Sequence, residues 1–369
     1  MRDLVRGVQG VDLDIAVEGN ARSVARALAG RLSGRAVQHE RFGTARVQAG
    51  ELSFDVAGAR RESYERPGAL PTVEPATLAE DLGRRDFTIN AMAVGLTGDD
   101  LGHLYDPYDG LDDLRAGVVR VLHDRSFLDD PTRLLRALRY EARLGFAMDA
   151  DTEKLAREAV IADAPSTVSG ERLRDALLGV LSEQQAAAAV RRMRELGIDR
   201  ALHPALEADA ELVSSAALGA VTIGADRTLA ALAALVSSDP LALAGWLDEL
   251  GLTARQRGVA LRAAASAPEL ARELRAAPRP SRLFELLADE PPESLALALA
   301  LGAPAEPVLR WVTDLSHVRL EIDGGDLVAV GVPEGPAVGR GLETALRLKL
   351  DGEIAGREQE LQAALEAAG

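Results

Sequence analysis

The pattern of apolar and polar positions changes near residue 125. Before that point, short alternating or β-branched runs are separated by glycine, proline and acidic residues, which predicts strands with helices between them. These runs are DLDIAV, TARVQ, LSFDVAG, INAMAVGL and GVVRVL. Beyond Asp129, apolar and charged residues recur at three- and four-residue spacing, which predicts amphipathic helices. The clearest examples are LLRALRYEARLGF, ERLRDALLGVL, AAAAVRRMREL and RTLAALAALV.

This change of pattern predicts an α+β fold, in which a head of mixed sheet and helices is followed by an all-helical remainder. Proline- and polar-rich stretches predict breaks in the helical part at 163–169, near 209–226, at 276–282 and at 291–293. The 369 residues are therefore predicted to form a head over 1–125, a helical neck over 126–200, a helical body over 201–295 and a helical tail over 296–369.

Composition excludes several classes of protein. Hydrophobic residues make up 47% of the chain, which is enough for packed cores and excludes a wholly disordered chain. There is no cysteine, which excludes a thiol nucleophile, a disulfide framework and cysteine-based metal sites. No run of eighteen apolar residues occurs, so no membrane span is expected. The first residues lack the basic-then-apolar order of a signal peptide, so we expect a cytoplasmic protein.

The charge balance is acidic, with 58 acidic against 42 basic residues and a formal net charge of −16. Phosphate binding normally leaves a basic surface, so this balance argues against general nucleic-acid affinity, and DNA binding is not expected. A local site built from a few arginines remains compatible with it.

Two carboxylates stand two residues apart in the first predicted strand, VDLDIAV. Side chains at i and i+2 of a strand share a face, so Asp12 and Asp14 converge. Leu13 and Ile15 are then expected to face the core. Asp55 lies between apolar neighbours in another predicted strand, and three converging carboxylates suit Mg²⁺, which can activate a hydroxyl and neutralise phosphate oxygens. The alternative is a half-exposed strand whose acidic face is simply solvated.

A more specific string, RRDFTINAMAV, begins at Arg84. Arginine forks such as those of Arg84 and Arg85 bind phosphate oxygens bidentately. Asp86 and Asn90 can accept from and donate to ribose hydroxyls. The alternative is a helix N-terminus capped by Asp86, which leaves the two arginines and Asn90 unexplained.

The first predicted helix of the neck carries a row of arginines. One broad face is predicted to hold Asp130, Arg133, Arg136, Arg139 and Arg143, and the opposite, buried face Leu134, Leu135 and Leu138. An Asp and an Arg one turn apart can pair with the Watson–Crick edge of a nucleobase, because Asp accepts from an amino group and Arg donates to a ring nitrogen or a carbonyl. The alternative is a solvated arginine face on an ordinary amphipathic helix.

Taken together, these strings resemble the bacterial class II tRNA nucleotidyltransferases and poly(A) polymerases over nearly the whole chain. RDLVRGVQGVDLDI is similar to the family's opening motif, and FGTARV and SFDVAGARRESY match the strands that follow. RRDFTINAMA is similar to its ribose and phosphate motif, and DDPTRLLRALR to its base-selecting template. The resemblance implies a nucleotidyltransferase head followed by a helical neck, body and tail, with Mg²⁺ as the cofactor.

The resemblance also implies roles for individual residues. Asp12 and Asp14 are the implied metal ligands, and Asp55 is the implied third catalytic carboxylate. The implied nucleotide contacts are Arg2, Arg85, Asp86, Asn90, Asp130, Arg133, Arg136 and Arg139. Among these, Asp130 and Arg133 would select the base.

Three further segments match family motifs. DPYDGLDDLRAGVVR, residues 106–120, is similar to the hinge motif between head and neck. GERLRDAL is similar to the neck-stabilising helix, with Glu171 and Arg172 in place but Ala176 where the family usually has Glu. The segment IDGGDLVAVGVPEGPAVGRGLETALRLKLDGEI resembles the tail of long members. Its glycines can bring backbone N–H groups close to an RNA phosphate, or they can form an interhelical turn without a ligand.

The start of the chain departs from the family pattern. Family members carry two glycines just before the residue equivalent to Met1, in a turn that holds the triphosphate. The chain begins inside that motif, where Val is usual, so our hypothesis is a GUG valine codon read as the initiator. The absence of an in-frame Gly-Gly pair in the upstream DNA would contradict it.

The implied reaction is attack by the 3′-hydroxyl of tRNA on the α-phosphate of CTP or ATP, with release of pyrophosphate. CCA addition is the leading interpretation. An A-adding enzyme or a poly(A) polymerase is the runner-up, because RRESYERPGALP resembles the form found in several such members. An RNA-binding protein with a decayed catalytic head and a metal-dependent phosphohydrolase are further alternatives; the latter is disfavoured because the histidines lack ligand spacing. The sequence leaves the oligomeric state open.

Overall fold

The computed structural model describes residues 1–8, 13–39, 44–276 and 279–369. Its contacts divide the chain into two compact units, Met1–Pro204 and Ala205–Gly369. In the part described, the strands all belong to the first unit, and the second unit is built from helices and loops. The predicted α+β class is therefore confirmed. The finer division of each unit into two segments remains a prediction.

The main sheet of the first unit has four strands in the order β1-β4-β3-β2. Their bounds are β1 Leu13–Val17, β2 Arg35–His39, β3 Thr44–Ala49 and β4 Leu52–Gly58. β1 runs parallel to β4, whereas β3 is antiparallel to both β4 and β2. The strands predicted from DLDIAV, TARVQ and LSFDVAG are confirmed, and β2 was not predicted.

One face of this sheet is covered by α2 (Ala21–Arg31). The side chain of Asn20 caps the helix by accepting a hydrogen bond from the Ser23 N–H. Buried alanines at every fourth position (21, 25 and 29) let the helix approach the strands closely. The predicted core position of Leu13 is wrong, because Leu13 is 50% exposed at the strand end, while Ile15 packs under the helix.

Short elements complete the head. Its further strands are β5 Arg60–Ser63, β6 Thr72–Pro75, β7 Ala93–Val94, β8 Leu104–Tyr105, β9 Val118–Val119 and, from further along the sequence, β10 Ala147–Met148, which pairs with β9. Its other helices are α1 Arg2–Val5, α3 Leu78–Gly83 and α4 Gly110–Ala116. The strand predicted from INAMAVGL is wrong in its first half, where Thr88–Asn90 form a 3₁₀ turn. The turn buries Ile89 and is followed by buried Ala91 and Met92, so the apolar run reflects burial rather than strand pairing.

The hinge segment is fixed by carboxylates. Asp106 accepts hydrogen bonds from the backbone N–H of Gly110 and of the residue after it, at 2.7 and 2.9 Å. Asp113 accepts from the Thr88 hydroxyl at 2.7 Å and pairs with Arg120. A side chain at Gly110 would have its Cβ 2.2 Å from the Thr88 carbonyl oxygen, so this close approach requires glycine.

The rest of the first unit is helical, with α5 Ser126–Asp129, α6 Thr132–Leu144, α7 Ala150–Ile161, α8 Gly170–Leu181, α9 Ala186–Glu195 and α10 Ile198–Leu202. The predicted buried face of α6 is confirmed, because Leu134, Leu135 and Leu138 are at most 1% exposed. The prediction that Asp130 shares the arginine face of this helix is wrong, because Asp130 lies outside α6. It is the C-cap of α5, and Pro131 separates it from the first turn of α6.

The second unit contains α11 Ala210–Ile223, α12 Arg227–Val236, α13 Pro240–Glu249, α14 Ala254–Arg275, α15 Pro280–Leu287, α16 Pro292–Ala300, α17 Ala305–Thr313, α18 Gly324–Ala329, α19 Pro336–Leu350 and α20 Arg357–Ala368. The break predicted near 209–226 is wrong, because α11 occupies most of it. Serine, glycine and threonine in α11 are typical of loops, but Gly219 allows close packing on the Ala296 backbone. In the ranges described, no helix combines the length and hydrophobicity that a bilayer requires.

Candidate active site

Asp14 and Asp55 lie side by side on the main sheet. They are register partners in the parallel pair of β1 and β4, and register partners share a face. That face is opposite to α2, because the alternate residues Ile15 and Val56 belong to the core under the helix. Arg46 on β3 pairs with Asp55 at two points, Nε to Oδ1 at 2.8 Å and Nη2 to Oδ2 at 2.6 Å. The structure thus brings two of the three predicted carboxylates together.

These carboxylates provide the oxygen ligands that a divalent cation prefers. Asp14 is exposed, and the Asp55 side chain is 38% exposed, so both are accessible from solvent. In the described parts of the chain, no three His, Cys, Asp or Glu side chains form a metal cluster. The predicted triad includes Asp12, which lies outside the described residues. The donor set present fits a hard cation held by Asp14 together with further oxygen ligands, with the Asp55 carboxylate beside it.

Four predicted nucleotide contacts form a continuous chain of hydrogen bonds. Nη1 of Arg2 donates to Oδ1 of Asn90 at 2.8 Å. Nδ2 of Asn90 donates to Oδ1 of Asp86 at 2.9 Å. Oδ2 of Asp86 accepts from Nε and Nη2 of Arg136 at 2.9 and 2.5 Å. These hydrogen bonds connect α1, the 3₁₀ turn and α6.

The charges in this chain keep Arg136 cationic and partly open to solvent. Burial by itself lowers the pKa of Arg136, but the Asp86 carboxylate outweighs it, and the pKa lies above its usual range. Asp86 is buried and also accepts from the Phe87 N–H, whereas the Arg136 side chain is 42% exposed. The guanidinium is therefore anchored on one side and accessible to an anionic ligand on the other.

Arg84 and Arg85 both contact Asp81, a buried carboxylate of α3. Nη2 of Arg84 lies 2.8 Å from Asp81, and Nη1 lies 2.9 Å from Glu62. Arg85 donates to Asp81 and to the Asn90 carbonyl oxygen, each at 3.2 Å. Nε of Arg85 is buried without a hydrogen-bond partner in the structure as described. Arg84 therefore links the carboxylates of Asp81 and Glu62, while Arg85 lies beside Asn90.

Asp130 and Arg133 contact different partners. Oδ1 of Asp130 accepts from Nη2 of Arg172 at 2.8 Å. Arg133 is buried and donates to the Ser126 hydroxyl at 2.6 Å and to the Arg84 carbonyl oxygen at 2.7 Å. Their joint selection of a base remains a prediction.

Arg139 is paired with Glu183, a residue that follows α8. Nε of Arg139 donates to Oε1 of Glu183 at 2.6 Å, and Arg143 donates to both carboxylate oxygens. Burial raises the pKa of Glu183, but the hydrogen bonds from Arg143 and Arg139 outweigh it, so the pKa lies below its usual range. Arg139 is thus bound by Glu183 and takes no part in the hydrogen bonds that link Arg2 to Arg136. Its contact with the nucleotide remains a prediction.

A cavity of about 380 Å³ lies in the glycine-rich segment of the second unit. Gly335, with φ of 137°, precedes α19 and lines this cavity with Gly324, Gly325 and Gly339. Glu334 also lines it. The contact of this glycine-rich segment with an RNA phosphate remains a prediction.

A second cavity, of about 260 Å³, lies in the first unit beside Arg133. Glu62, Tyr64 and His123 contribute to its lining. Burial, followed by the nearby Glu62, raises the pKa of Tyr64 to about 12. Burial, followed by Arg133, lowers the pKa of His123. Both side chains therefore favour their neutral forms.

Sequence reasoning missed three residues that organise the site. Tyr140 lies against Arg2 and Arg136, Glu183 binds two arginines, and Asp81 binds two more. Tyr140 follows Arg136 by one helical turn, so its contact with that arginine was available from spacing. The partners of Glu183 lie 44 and 40 positions away, and no spacing rule indicates them.

Known proteins resemble this chain along its length. Residues 1–120 match the Poly A polymerase head domain. The A-adding tRNA nucleotidyltransferase of Geobacter sulfurreducens is 34% identical over 99% of the chain, which spans 44% of that relative. The CC-adding tRNA nucleotidyltransferase of Deinococcus radiodurans is 31% identical over 98% of the chain, and 85% of that relative is covered. The chain belongs to the tRNA nucleotidyltransferase family.

The fold agrees with this family. The structure of the Thermotoga maritima CCA-adding enzyme complexed with tRNA matches with a TM-score of 0.81 at 31% identity, covering 100% of this chain and 89% of that one. The chain spans less than half the length of the A-adding relative from Geobacter, so the two differ in extent as well as in sequence. Members of this tRNA nucleotidyltransferase family generally use a divalent metal ion.

Proposed function

We propose that the protein transfers nucleotides from CTP or ATP to the 3′ end of tRNA and releases pyrophosphate, with Mg²⁺ as the cation. The observation that carries this proposal is the register pairing of Asp14 with Asp55 on the open face of the sheet. Two carboxylates in that arrangement suit a cation that binds phosphate oxygens. Because the proposed substrate is tRNA, we propose the cytoplasm as the place of action.

Each group has a defined part in the proposed reaction. Asp14 and Asp12 would hold the cation, which when bound would lower the pKa of the 3′-hydroxyl and neutralise charge on the triphosphate. Asp55 accepts the proton of that hydroxyl. The hydroxyl oxygen forms a bond to the α-phosphorus as the bond to the β-phosphate bridge breaks, and pyrophosphate leaves. Arg136, anchored by Asp86, provides positive charge for the phosphates.

CCA addition is the first form of this activity to test, and A addition is the second. The A-adding relative from Geobacter is 34% identical over 99% of the chain, slightly above the 31% of the CC-adding relative. This difference favours testing ATP alone on a tRNA that already ends in CC.

The experiment uses the full gene product, Mg²⁺ and three RNA substrates. These are a tRNA transcript without its CCA end, one ending in CC, and an RNA with an unrelated 3′ end. Each is incubated with CTP, ATP or both, and the product ends are sequenced. CC followed by A on the first transcript indicates CCA addition, and A confined to the second indicates an A-adding enzyme. Long adenylate tails on every RNA indicate a poly(A) polymerase.

A matched pair of variants tests the role of the carboxylates. Asp14→Asn is expected to lower the rate by about a thousandfold, because metal stabilisation of the transition state contributes several kcal/mol. Glu51→Gln, at the exposed turn between β3 and β4, removes a carboxylate away from the pair and is expected to leave the rate unchanged. Binding of tRNA without extension by the wild type would contradict the proposal and favour the decayed-head alternative.

A further inference from the structure

Tyr140 lies between two arginines that belong to different parts of the first unit. The guanidinium carbon of Arg2 is 4.9 Å from the ring centroid, and that of Arg136 is 5.8 Å away. The ring also meets Phe87 edge-on, with centroids 5.6 Å apart and an interplanar angle of 84°. A ring face attracts cations, so one aromatic side chain can hold two guanidinium groups that would otherwise repel each other.

Tyr140 closes the hydrogen-bonded chain into a circuit. The chain runs from Arg2 through Asn90 and Asp86 to Arg136. Nη2 of Arg136 lies 3.4 Å from the Tyr140 hydroxyl, and the Tyr140 ring returns to Arg2. In the contacts that the structure describes, Tyr140 is the side chain through which Arg2 meets α6 directly.

Both arginines keep donors for a ligand. Arg2 uses Nε and Nη2 on Asp3 and Nη1 on Asn90, which engages one hydrogen on each nitrogen. Arg136 uses Nε and Nη2 on Asp86, and its Nη1 has no acceptor within the described part of the chain. Two guanidinium groups with spare N–H donors, both held against one ring, match the several oxygens of a polyphosphate.

We infer that Tyr140 is a positioning residue, which sets the spacing of Arg2 and Arg136 for the triphosphate of the incoming nucleotide. This inference rests on the proposed function. Tyr140 acts through the two arginines, and the ring face provides the positioning. The contact of the hydroxyl with Nη2 of Arg136, at 3.4 Å, is long for a hydrogen bond.

The competing explanation is that Tyr140 only packs against Phe87. Fluorination separates the two explanations, because it withdraws charge from the ring face with little change in shape. We would replace Tyr140 with phenylalanine and with mono-, di- and trifluorinated phenylalanines in the full chain. The dissociation constant of tripolyphosphate is then measured by calorimetry, along with KM for ATP and kcat on a tRNA substrate.

The expected result is a stepwise loss of affinity. Phenylalanine should stay within about twofold of the wild type, and the trifluorinated ring should weaken tripolyphosphate binding about tenfold, which is the scale of a desolvated cation–π contact. KM for ATP should rise in parallel, while kcat and KM for tRNA stay constant. Equal affinities across the series would overturn the inference and leave packing as the role of the ring.

Tyr105 supplies the matched control. It makes an edge-on aromatic contact with His103, at 4.9 Å and 84°, in the way that Tyr140 contacts Phe87. The same fluorinated series at position 105 should leave tripolyphosphate binding unchanged, and an equal loss there would also overturn the inference. Because tripolyphosphate binding needs no turnover, it separates the two proposals. A wild type that binds tripolyphosphate with the expected trend but extends no RNA would contradict the proposed function alone.

Discussion

Glu183 is the shared carboxylate of Arg139 and Arg143, and it is buried. Glu183→Gln leaves two guanidinium groups without their charge partner, so we expect the free energy of unfolding to fall by about 2 kcal/mol. Urea unfolding followed by far-ultraviolet circular dichroism measures the change. Glu195→Gln is the control, because Glu195 is 51% exposed and pairs with Arg192 at the surface, where the expected effect is below about 0.5 kcal/mol. Equal effects of the two substitutions would contradict the prediction.

His123 should make stability depend on pH below neutrality. Its pKa in the folded protein lies below the ordinary value of 6.5, because burial and then Arg133 disfavour the charged imidazole. The unfolded chain therefore binds more protons below pH 6.5, and the stability that neutral His123 contributes is lost as the pH falls towards its folded pKa. Free energies of unfolding of the wild type and of His123→Gln, measured from pH 7.5 to pH 5, should converge as the pH falls. Parallel curves would contradict the prediction.

At the scale of single residues, the sequence was a better guide to which side chains belong to the candidate site than to which residues they contact. The string RRDFTINAMA placed Asp86 and Asn90 in one predicted site, and in the structure Asn90, four positions after Asp86, donates a hydrogen bond to it. Arg2 reaches Asn90 over 88 positions, and Arg136 reaches Asp86 over 50. Periodicity and spacing describe neighbours along one element, so they carry no information on contacts between elements.

At the scale of elements, Gly68 fixes the loop after β5 against Thr167, in the segment before α8. Its φ is 69°, and a Cβ there would lie 2.2 Å from the Thr167 hydroxyl and 2.5 Å from the Thr167 carbonyl oxygen. The Gly68 carbonyl oxygen accepts from Arg172, which also holds Asp130. Gly68→Ala is therefore expected to lower the free energy of unfolding by about 3 kcal/mol, from strain and overpacking together.

Gly50 provides the control for this substitution. It has φ of 60° in the turn between β3 and β4, and a Cβ there meets nothing within 4 Å. Gly50→Ala should therefore cost only the backbone strain, about 1 kcal/mol. Circular dichroism in urea measures both variants. If they are equally destabilised, Thr167 yields to the added methyl group and the loop is not fixed as described.

Elements were predictable where one face of a helix is buried and the other is charged. The leucines of α6 fall on one side and its arginines largely on the other, so the period was clear in the sequence. The helix α11 has small residues on its buried side, among them Ala216, Gly219 and Ala220, and its exposed side includes Leu218 and Val221. Because this exposed side mixes apolar residues with Ser214 and Ser215, the helix has little amphipathic contrast, and its serines and glycine indicated a loop instead.

At the scale of the whole molecule, aromatic residues divide between the two units. All four tyrosines lie between residues 64 and 140, in the first unit, and both tryptophans, Trp246 and Trp311, lie in the second. Each unit has its own buried apolar core. Tyrosine absorbance therefore reports on the first unit and tryptophan fluorescence on the second.

This division predicts that a ligand or a mutation in the first unit changes the unfolding seen by tyrosine absorbance and leaves the unfolding seen by tryptophan fluorescence unchanged. The proposed nucleotide contacts all lie in the first unit, so ATP with Mg²⁺ should raise its stability by about 2.7 kcal/mol when ATP is present at about 100 times its Kd. The urea midpoint from tyrosine absorbance should rise accordingly, and Gly68→Ala should lower it. The midpoint from tryptophan fluorescence should change in neither case. Units with separate cores can unfold separately, whereas a single cooperative transition would move both midpoints together. Coincident midpoints that shift together with ATP would show that the two units unfold as one, and would contradict the prediction.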